Sequence, residues 1–205
     1  MTDVGRKWSP FVIGSRYYIT PDVCDVETPG MIDIRIGAGR AFGSGEHETT
    51  QQCLEIMELI QFCSGTMILD YGTGTGILAI AATKLGAEFV LALDVDMDAV
   101  ETCQNNLKIN NVNNKVTVIC SDLTCINPRY QFDLILANIY PAIIIKRSAL
   151  ISALLKRNGY ILLSGIDWDY FDDVKRCFSH FNYQIVKVKI GNDYNSILYQ
   201  KVTDK

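Results

Sequence analysis

The sequence predicts an α/β domain built on a doubly wound, mostly parallel sheet. Short apolar runs alternate with helix-like segments from about residue 67 onward, which is typical of a parallel sheet covered on both faces. A glycine-rich turn follows the first of these runs, as it does where a strand leads into a helix beside a ligand. Two further strand-like runs end the chain with no helix between them and predict an antiparallel hairpin. The 205 residues suffice for one such domain with a short extension.

The first 45 residues are predicted to form an extension that packs on the main domain, residues 46–205. They are rich in Tyr, Ile, Val, Pro and Gly, and "FVIGSRYYIT" and "MIDIRI" are strand candidates separated by turn residues. From Glu46 the pattern becomes helical, because apolar side chains recur at Cys53, Ile56, Met57 and Ile60.

The elements of the main domain follow in a regular order. The predicted strands are "TMILDY", "AEFVLALDVD", "KVTVIC", "FDLILAN", "GYILLSG", "YQIVKVKI" and "SILYQKV". The predicted helices lie in "GILAIAATKL", in the segment before "NNVNN", after Pro141 and over Asp169 to Phe181. Ligands of such sheets bind beyond the carboxyl ends of the strands, so the residues after each strand are the candidates for a site.

The glycine turn "DYGTGTG" is by itself a weak signal. Gly72, Gly74 and Gly76 give GxGxG, but Ile77 stands where the dinucleotide fingerprint requires glycine, and the P-loop signature is absent. Glycines let the backbone approach a ligand closely, yet an ordinary tight turn explains them equally well.

Polar residues end three further strands. Asp94 lies 22 residues after Gly72, where a carboxylate can accept both hydroxyls of a ribose; it could instead cap a helix, although Asp96 suits that role better. Asp122, followed by Leu123, could accept an exocyclic amine such as that of adenine, or it could be a plain turn residue. Asn138 offers an amide to a ligand or a cap to the next helix.

The charges at these strand ends favour a cofactor without phosphate. Asp70, Asp94 and Asp122 occupy them with no basic residue among them. Carboxylates attract cationic groups, and S-adenosylmethionine combines a ribose and an adenine with an ammonium and a sulfonium. We therefore expect a methyl-donor site, with an NAD oxidoreductase as the alternative from another enzyme class.

These motifs resemble the class I S-adenosylmethionine-dependent methyltransferases, and most closely the ribosomal protein L11 methyltransferase (PrmA) family. "DYGTGTGILAIAATKLGA" and "LALDVD" are similar to the first two class I motifs. "AFGSGEHETT" is similar to the family's AFGTGTHxTT, and "ANI" and "LSGI" match its segments after the fourth and fifth strands. The resemblance runs from about Trp8 to the end. It implies a Rossmann-like fold with a seven-stranded sheet and a methyltransferase domain over residues 46–205.

The resemblance also implies roles for single residues. It places Phe42 and Thr50 against the cofactor, Gly72 and its neighbours around the methionine part, Asp94 on the ribose, Val95 beside the adenine and Asn138 near the methyl group. The resemblance implies that full-length family enzymes begin with a separate domain that binds the ribosomal protein, and these 205 residues are not expected to include it. "NIYP" and "IGAGRAFG" also depart from the family pattern, which bears on the substrate and not on the cofactor site.

The expected function is methylation of amino groups of a protein, either a lysine side chain or an N-terminus. Asn138 is expected to orient the acceptor amine, with Tyr140 on the substrate side, and no general base is assigned. His47 suits a base chemically, but a histidine at the start of a helix more often has a structural role, which is the favoured interpretation. The alternatives are a small-molecule N-methyltransferase and a cofactor-binding scaffold without catalysis. Methylation of nucleic-acid amines is disfavoured because "NIYP" lacks the [DN]PP[YF] pattern.

Composition narrows the partners and the compartment. The net charge of −4 argues against a binding surface for duplex nucleic acid. The seven cysteines include no CxxC pair and are expected to be reduced, buried thiols of a cytoplasmic protein, with no metal site. No apolar run is long enough for a membrane span, so no membrane partner is expected. A monomer is favoured, with the oligomeric state left open.

Overall fold

The structure, a computed structural model, describes residues 9–22, 29–37 and 41–202. The strands are β1 (Phe11–Ile13), β2 (Tyr17–Pro21), β3 (Ile32–Ile36), β4 (Met67–Tyr71), β5 (Phe89–Asp94), β6 (Val116–Cys120), β7 (Phe132–Asn138), β8 (Leu155–Asp167), β9 (Tyr183–Ile190) and β10 (Tyr194–Lys201). The helices are α1 (Glu48–Met57), α2 (Ile77–Lys84), α3 (Met97–Ile109), α4 (Pro141–Leu154) and α5 (Trp168–Ser179), with a short 3-10 helix at Leu123–Cys125.

The main sheet has seven strands in the order β6-β5-β4-β7-β8-β10-β9. Strands β4 to β8 run parallel, and β10 pairs antiparallel with both β8 and β9. The strand order reverses between β4 and β7, which creates a crevice at their carboxyl ends. The predicted doubly wound sheet and its C-terminal hairpin are confirmed.

Two hydrophobic cores lie on opposite faces of the sheet. Successive strand residues alternate between them: Ile68 and Leu134 pack on the side of α1, α2 and α3, whereas Leu69 and Ile135 pack on the side of α4 and α5. All four side chains are essentially buried, and each such burial contributes about 1.5–3 kcal/mol to folding. Burial on both faces explains why these strands read as continuous apolar runs in the sequence.

The N-terminal strands, which coincide with the two strand candidates of this region, form a separate three-stranded sheet that the sequence did not predict. β2 pairs antiparallel with β1 and parallel with β3. Its buried side chains, Tyr17, Ile19 and Ile34, belong to the same core cluster as Ile77 and Ile80 of α2. This sheet therefore packs on the helical layer over the main sheet, while the proposed boundary between residues 45 and 46 stays a prediction.

Local capping fixes where the helices begin. The side chain of Asp96 accepts a hydrogen bond from the N–H of Asp98 and caps α3, as expected, and Pro141 opens α4. α1 begins at Glu48 rather than at Glu46, because the extended backbone of His47 forms the N-cap. β8 begins at Leu155, directly after α4, and is therefore longer than the run "GYILLSG" predicted.

The prediction of buried thiols is only partly correct. Cys53 and Cys103 are buried, but Cys63, Cys120 and Cys125 are exposed, and no disulfide joins the cysteines that the structure describes. Cys24 lies outside the described residues. Burial raises the pKa of the Cys53 thiol to about 12, so this cysteine behaves as a small apolar side chain. In residues 9–22, 29–37 and 41–202, none of the helices has the length and apolarity to cross a membrane.

Glu48 joins the first turn of α1 to the hairpin between β9 and β10. Its carboxylate accepts hydrogen bonds from the backbone N–H groups of Asn192, Asp193 and Tyr194 at 2.8–3.0 Å. Desolvation by burial is the largest influence and would raise the pKa of Glu48, but the three N–H donors and His47 together lower it below its ordinary value. This contact holds the hairpin turn beside the carboxyl edge of the sheet.

Replacing Glu48 by glutamine is expected to lower the free energy of unfolding at pH 7 by about 1–3 kcal/mol, because the amide is a weaker acceptor for three N–H donors. Since folding lowers the pKa of Glu48, its stabilisation is fully present above the ordinary value of 4.5 and is lost as pH falls through the folded-state pKa. Urea unfolding at pH 7 and pH 3 measures this. The matched variant Glu46→Gln, at an exposed side chain, should change stability by less than about 0.5 kcal/mol. Equal losses in both variants would contradict the assignment.

Candidate active site

The glycine turn after β4 is closed by its own hydrogen bonds. Each of the five backbone N–H groups from Gly72 to Gly76 donates to a protein oxygen at 2.8–2.9 Å. The acceptors are the carbonyl oxygens of Leu93, Phe42 and Thr73 and the carboxylate of Asp94. A phosphate-binding loop directs such N–H groups at its ligand. This turn therefore resembles a nucleotide-binding loop in its glycines, but it has no free N–H donors with which to bind a phosphate.

The segment "AFGSGEHETT", residues 41–50, packs against the glycine turn and is hydrogen-bonded to it. The carbonyl of Phe42 accepts from the N–H of Thr75 at 2.9 Å, and the carbonyl of Gly43 accepts from the Thr75 hydroxyl at 2.5 Å. Gly43 and Gly45 adopt φ of 105° and 93°, which L side chains rarely adopt, and so make the bend. A Cβ on Gly74 would overlap the Phe42 carbonyl oxygen. The two glycine-bearing segments are thus one hydrogen-bonded unit.

A cavity of about 600 Å³ opens at the carboxyl ends of the central strands. Eight of the residues predicted from the sequence line it: Phe42, Gly72, Gly74, Asp94, Val95, Asp122, Asn138 and Tyr140. Phe42 is 55% exposed, Val95 70% and Tyr140 78%, so the cavity has an apolar, accessible rim. The topology therefore brings together residues that are up to 98 positions apart in the chain.

Three predicted contact residues do not reach the cavity wall. Leu123 is fully buried in the core on the α4 side, and Thr50 is fully buried beneath Asn138. Asp70 is 1% exposed and lies under the glycine turn, where it accepts from the Thr73 hydroxyl at 2.7 Å. The described geometry gives all three supporting positions one layer below the wall, and their direct contact with a cofactor stays a prediction.

Asp70 is a buried carboxyl group whose pKa lies well above its ordinary value. Desolvation by complete burial is the main reason that its pKa rises to about 7; the hydrogen bond from Thr73 opposes this rise, and the negative charge of Asp94 adds to it. Its protonated form is therefore favoured in the folded protein up to about neutral pH. The expectation that Asp70 presents a negative charge to a cationic ligand does not fit this environment.

Replacing Asp70 by asparagine is expected to remove a pH dependence of stability. Since folding raises the pKa of Asp70, its favourable contribution is complete below the ordinary value of 3.8 and is lost as pH rises through about 7. Between about pH 4.5 and 6.5 the unaltered protein should lose about 1.4 kcal/mol of unfolding free energy per pH unit relative to Asp70→Asn. Urea unfolding across this range measures the difference. Parallel pH profiles would contradict the prediction.

Asp94 is placed to bind a pair of hydroxyl groups. Its Oδ2 accepts from the N–H of Gly74 at 2.9 Å, and its Oδ1 accepts from the N–H of Asp96 at 3.1 Å. Each carboxylate oxygen has further acceptor capacity, and the side chain lines the cavity. The two N–H donors fix the carboxylate orientation, which suits the vicinal hydroxyls of a ribose.

Basic residues also line the cavity, although none of them lies at a strand end. Lys146 and Arg147 of α4 line the cavity, and Arg147 forms an ion pair of 2.5 Å with Asp122. These two residues lie on the second turn of a helix, so the pattern of polar strand ends does not predict them. Six other lining residues carry no signal in the sequence that predicts a place in the site: Thr49, Tyr71, Ile139, Ile143, Gly165 and Tyr194.

His47 is part of an aromatic wall. Its ring lies 5.2 Å from the ring of Phe42 and 5.2 Å from that of Tyr194, which comes from the C-terminal hairpin. Its Nδ1 accepts from the N–H of Thr49 and contacts the Thr49 hydroxyl at 2.8 Å. The Nδ1 of His47 thus caps the first turn of α1, where it is engaged by the N–H and the hydroxyl of Thr49. The geometry favours the structural role over the role of a base.

Asn138 ends β7 at the centre of the cavity wall. Its Nδ2 donates to the hydroxyl of the buried Thr50 at 3.5 Å, which leaves Oδ1 as the acceptor end of the amide. A Cβ on Gly165 would lie 3.3 Å from that oxygen, so the absence of a side chain there leaves it room. No group of three His, Cys, Asp or Glu side chains suited to a metal ion occurs within residues 9–22, 29–37 and 41–202.

The family model described as "Ribosomal protein L11 methyltransferase (PrmA)" matches residues 1–202. A ribosomal protein L11 methyltransferase of Caldanaerobacter subterraneus subsp. tengcongensis is 39% identical over 96% of this chain and 62% of its own length. A protein of the same name from Caldicellulosiruptor saccharolyticus is 40% identical over 96% of this chain and 64% of its own length. The chain thus spans about three fifths of these relatives.

Solved structures agree with the family match. The crystal structure of a ribosomal protein L11 methylase from Lactobacillus delbrueckii subsp. bulgaricus superimposes with a TM-score of 0.86. It is 26% identical, and the superposition covers 96% of this chain and all of that one. An O-methyltransferase from Thermotoga maritima, described as SAM-dependent, has a TM-score of 0.65 at 13% identity over 76% of this chain and 66% of its own, which shows a shared fold alone.

Proposed function

The chain belongs to the ribosomal protein L11 methyltransferase family, and on that premise we propose that it transfers methyl groups from S-adenosylmethionine to amino groups of a protein. The acceptor that we propose is ribosomal protein L11 or a protein like it, with a lysine side chain or an N-terminus as the reacting group. Such an acceptor would locate the reaction in the cytoplasm.

One observation carries the choice of cofactor. All five N–H groups of the glycine turn bind protein oxygens, so the turn has no donors for a pyrophosphate, whereas Asp94 retains acceptor capacity for a ribose. The residues present therefore fit a nucleoside cofactor without phosphate. S-adenosylmethionine, when bound, supplies an electrophilic methyl group on a sulfonium. Asp94 would hold its ribose, Gly72 and Gly74 would allow close approach, and Phe42 and Val95 would cover it.

The remaining task of the protein is to position the acceptor. Fixing two reactants in line can lower the barrier by about 7–11 kcal/mol. The amine must be neutral, and the acceptor end of the Asn138 amide can take a hydrogen bond from it and so direct its lone pair. Thr50 holds that amide from below, and the exposed ring of Tyr140 lies on the substrate side. We assign no general base, since Nδ1 of His47 already accepts from Thr49.

Binding and transfer can be tested separately. Titration calorimetry should show micromolar binding of S-adenosylmethionine and S-adenosylhomocysteine and no binding of NADH. Incubation with methyl-labelled S-adenosylmethionine and a fractionated bacterial extract should then label the protein fraction. Binding of NADH in place of these ligands would overturn the proposal, and label in RNA or in small molecules would overturn the proposed acceptor.

A further inference from the structure

A second cavity, of about 370 Å³, lies at the edge of the main sheet opposite the candidate active site. β10 runs antiparallel to β8, so the end of β10 lies beside the beginning of β8, at the amino ends of the parallel strands. Arg157 of β8 lines this cavity and stands eight positions before Gly165, which lines the candidate active site, so roughly 26 Å of strand separates the two cavities. The second cavity is lined by Ser152, Arg157, His180, Phe181, Asn182, Lys201 and Val202.

The lining of the second cavity is basic, although the whole chain has a net charge of −4. Three of the seven lining side chains are basic and none is acidic. They come from three elements: Arg157 from β8, Lys201 from the end of β10 and His180 from the end of α5. Within residues 9–22, 29–37 and 41–202, neither Arg157 nor His180 forms an ion pair. Their N–H donors are therefore available to an anion that enters the cavity.

Lys201 has a structural task that explains its own position but not the other two basic residues. Its Nζ donates to the carbonyl oxygens of Ser152 at 2.8 Å and Leu155 at 3.0 Å, at the end of α4, where the helix dipole favours a cation. These bonds use two of the three N–H groups of the ammonium, so one remains for a ligand. Burial, followed by the positive charge of Arg157, lowers the pKa of Lys201. The two cations thus repel one another, and an anion bound between them would relieve this repulsion.

We propose that Arg157, His180 and Lys201 form a binding pocket for a phosphate group, either free phosphate or the phosphate of a small monoester. The planar guanidinium can pair with two phosphate oxygens, the ammonium adds a positive charge, and the imidazole has an N–H donor in either charge state. A cavity of about 370 Å³ lies at the lower end of the range for small-molecule sites, so a phosphate with a short organic group has room. Phe181 and Val202, which is 37% exposed, add an apolar wall for such a group. This pocket is separate from the methyl-transfer site, so the inference does not depend on the proposed function.

Calorimetric titration of the full chain with inorganic phosphate, at an ionic strength held constant with chloride, tests this inference. The unaltered protein should bind phosphate with a Kd of about 1 mM or tighter, the scale of a few charge-assisted hydrogen bonds at an accessible site. Arg157→Gln should weaken binding about 10-fold because it removes the bidentate partner, and His180→Gln about 3-fold. Titration with ribose 5-phosphate separates the two sources of the group, since a monoester site binds it more tightly than inorganic phosphate. Ribose, which has no phosphate, should not bind.

A matched control is available on the neighbouring strand. Lys187 of β9 is exposed and lies outside the lining of the second cavity, so Lys187→Gln removes one positive charge, as Arg157→Gln does, and leaves the pocket intact. Its affinity for phosphate should stay within about two-fold of the unaltered protein, and thermal melting monitors the fold of every variant. No binding at about 10 mM phosphate, or equal losses in Arg157→Gln and Lys187→Gln, overturns this inference and leaves the proposed function standing. Affinity for S-adenosylhomocysteine should be the same with and without phosphate, and competition between the two ligands would place the phosphate in the active-site cavity and so overturn the separate pocket.

Discussion

Replacing Asp94 by alanine is expected to weaken the binding of S-adenosylmethionine by roughly 100-fold or more. If Asp94 holds the ribose as proposed, the variant loses two charge-assisted hydrogen bonds, each contributing about 1.5–3 kcal/mol. It also removes the acceptor of the Gly74 N–H, whose bond of 2.9 Å closes the glycine turn. Both losses act in the same direction, so the expected result is binding below the detection limit of calorimetry at micromolar protein.

Asp96→Ala is the matched control for that experiment. Asp96 is also an aspartate at the cavity rim, but its side chain accepts from the N–H of Asp98 and caps α3. Its loss should cost about 1 kcal/mol of stability and leave cofactor affinity within a few-fold. Affinity of Asp94→Ala within three-fold of the unaltered protein, or equal losses in both variants, would contradict the ribose assignment.

The two glycine-bearing segments have different tasks, although both contribute to one wall. The N–H groups of the turn at Gly72–Gly76 all donate to protein oxygens. The turn can therefore contribute a close-fitting backbone surface to a ligand, but no hydrogen-bond donors. The segment around Phe42 satisfies one of those N–H groups and adds an apolar surface. A replacement at Gly74 would disturb both segments, because its Cβ position is occupied by the Phe42 carbonyl.

Local signals predicted most of the fold. The caps at Asp96 and Pro141 depend on chemistry within one helical turn, and the strands depend on runs of five to eight apolar residues, so neighbours in sequence decide them. The start of α1 was misplaced by two residues, since the cap is a histidine rather than a common capping side chain. The length of β8 could not be predicted, because its first residues pair with β7 through a register shift that only the sheet determines.

The sequence predicted those parts of the site that depend only on the order of strands in the sheet. Parallel strands end at one edge, so Asp94, Asp122 and Asn138 could be grouped from the sequence. The sequence could not predict which of two successive residues faces the cavity. At the end of β4 the wall is formed by Tyr71, whereas Asp70 lies beneath the glycine turn. Tyr194 was missed because Glu48, 146 positions earlier, holds its hairpin beside the site.

Replacing Asn138 by alanine is expected to separate binding from turnover. In the proposed function this side chain orients the acceptor amine, so transfer of labelled methyl groups to purified ribosomal protein L11 should fall roughly 100-fold, the scale of a misplaced reactant. Affinity for S-adenosylhomocysteine should stay within a few-fold, because Asp94 and the glycine turn are unchanged. Stopped incubations with labelled cofactor and calorimetry measure the two quantities on the same preparation.

Thr50→Val is a milder variant that tests the same role of the Asn138 amide. It keeps the shape of a fully buried side chain but removes the hydroxyl that Asn138 Nδ2 contacts at 3.5 Å. The amide would remain and lose its support, so turnover should fall about 3- to 10-fold, which corresponds to one hydrogen bond of roughly 1 kcal/mol. An orienting role requires this order of effects, with turnover reduced more than affinity in both variants. Equal losses of turnover and affinity in Asn138→Ala would instead make Asn138 a residue of the cofactor site alone.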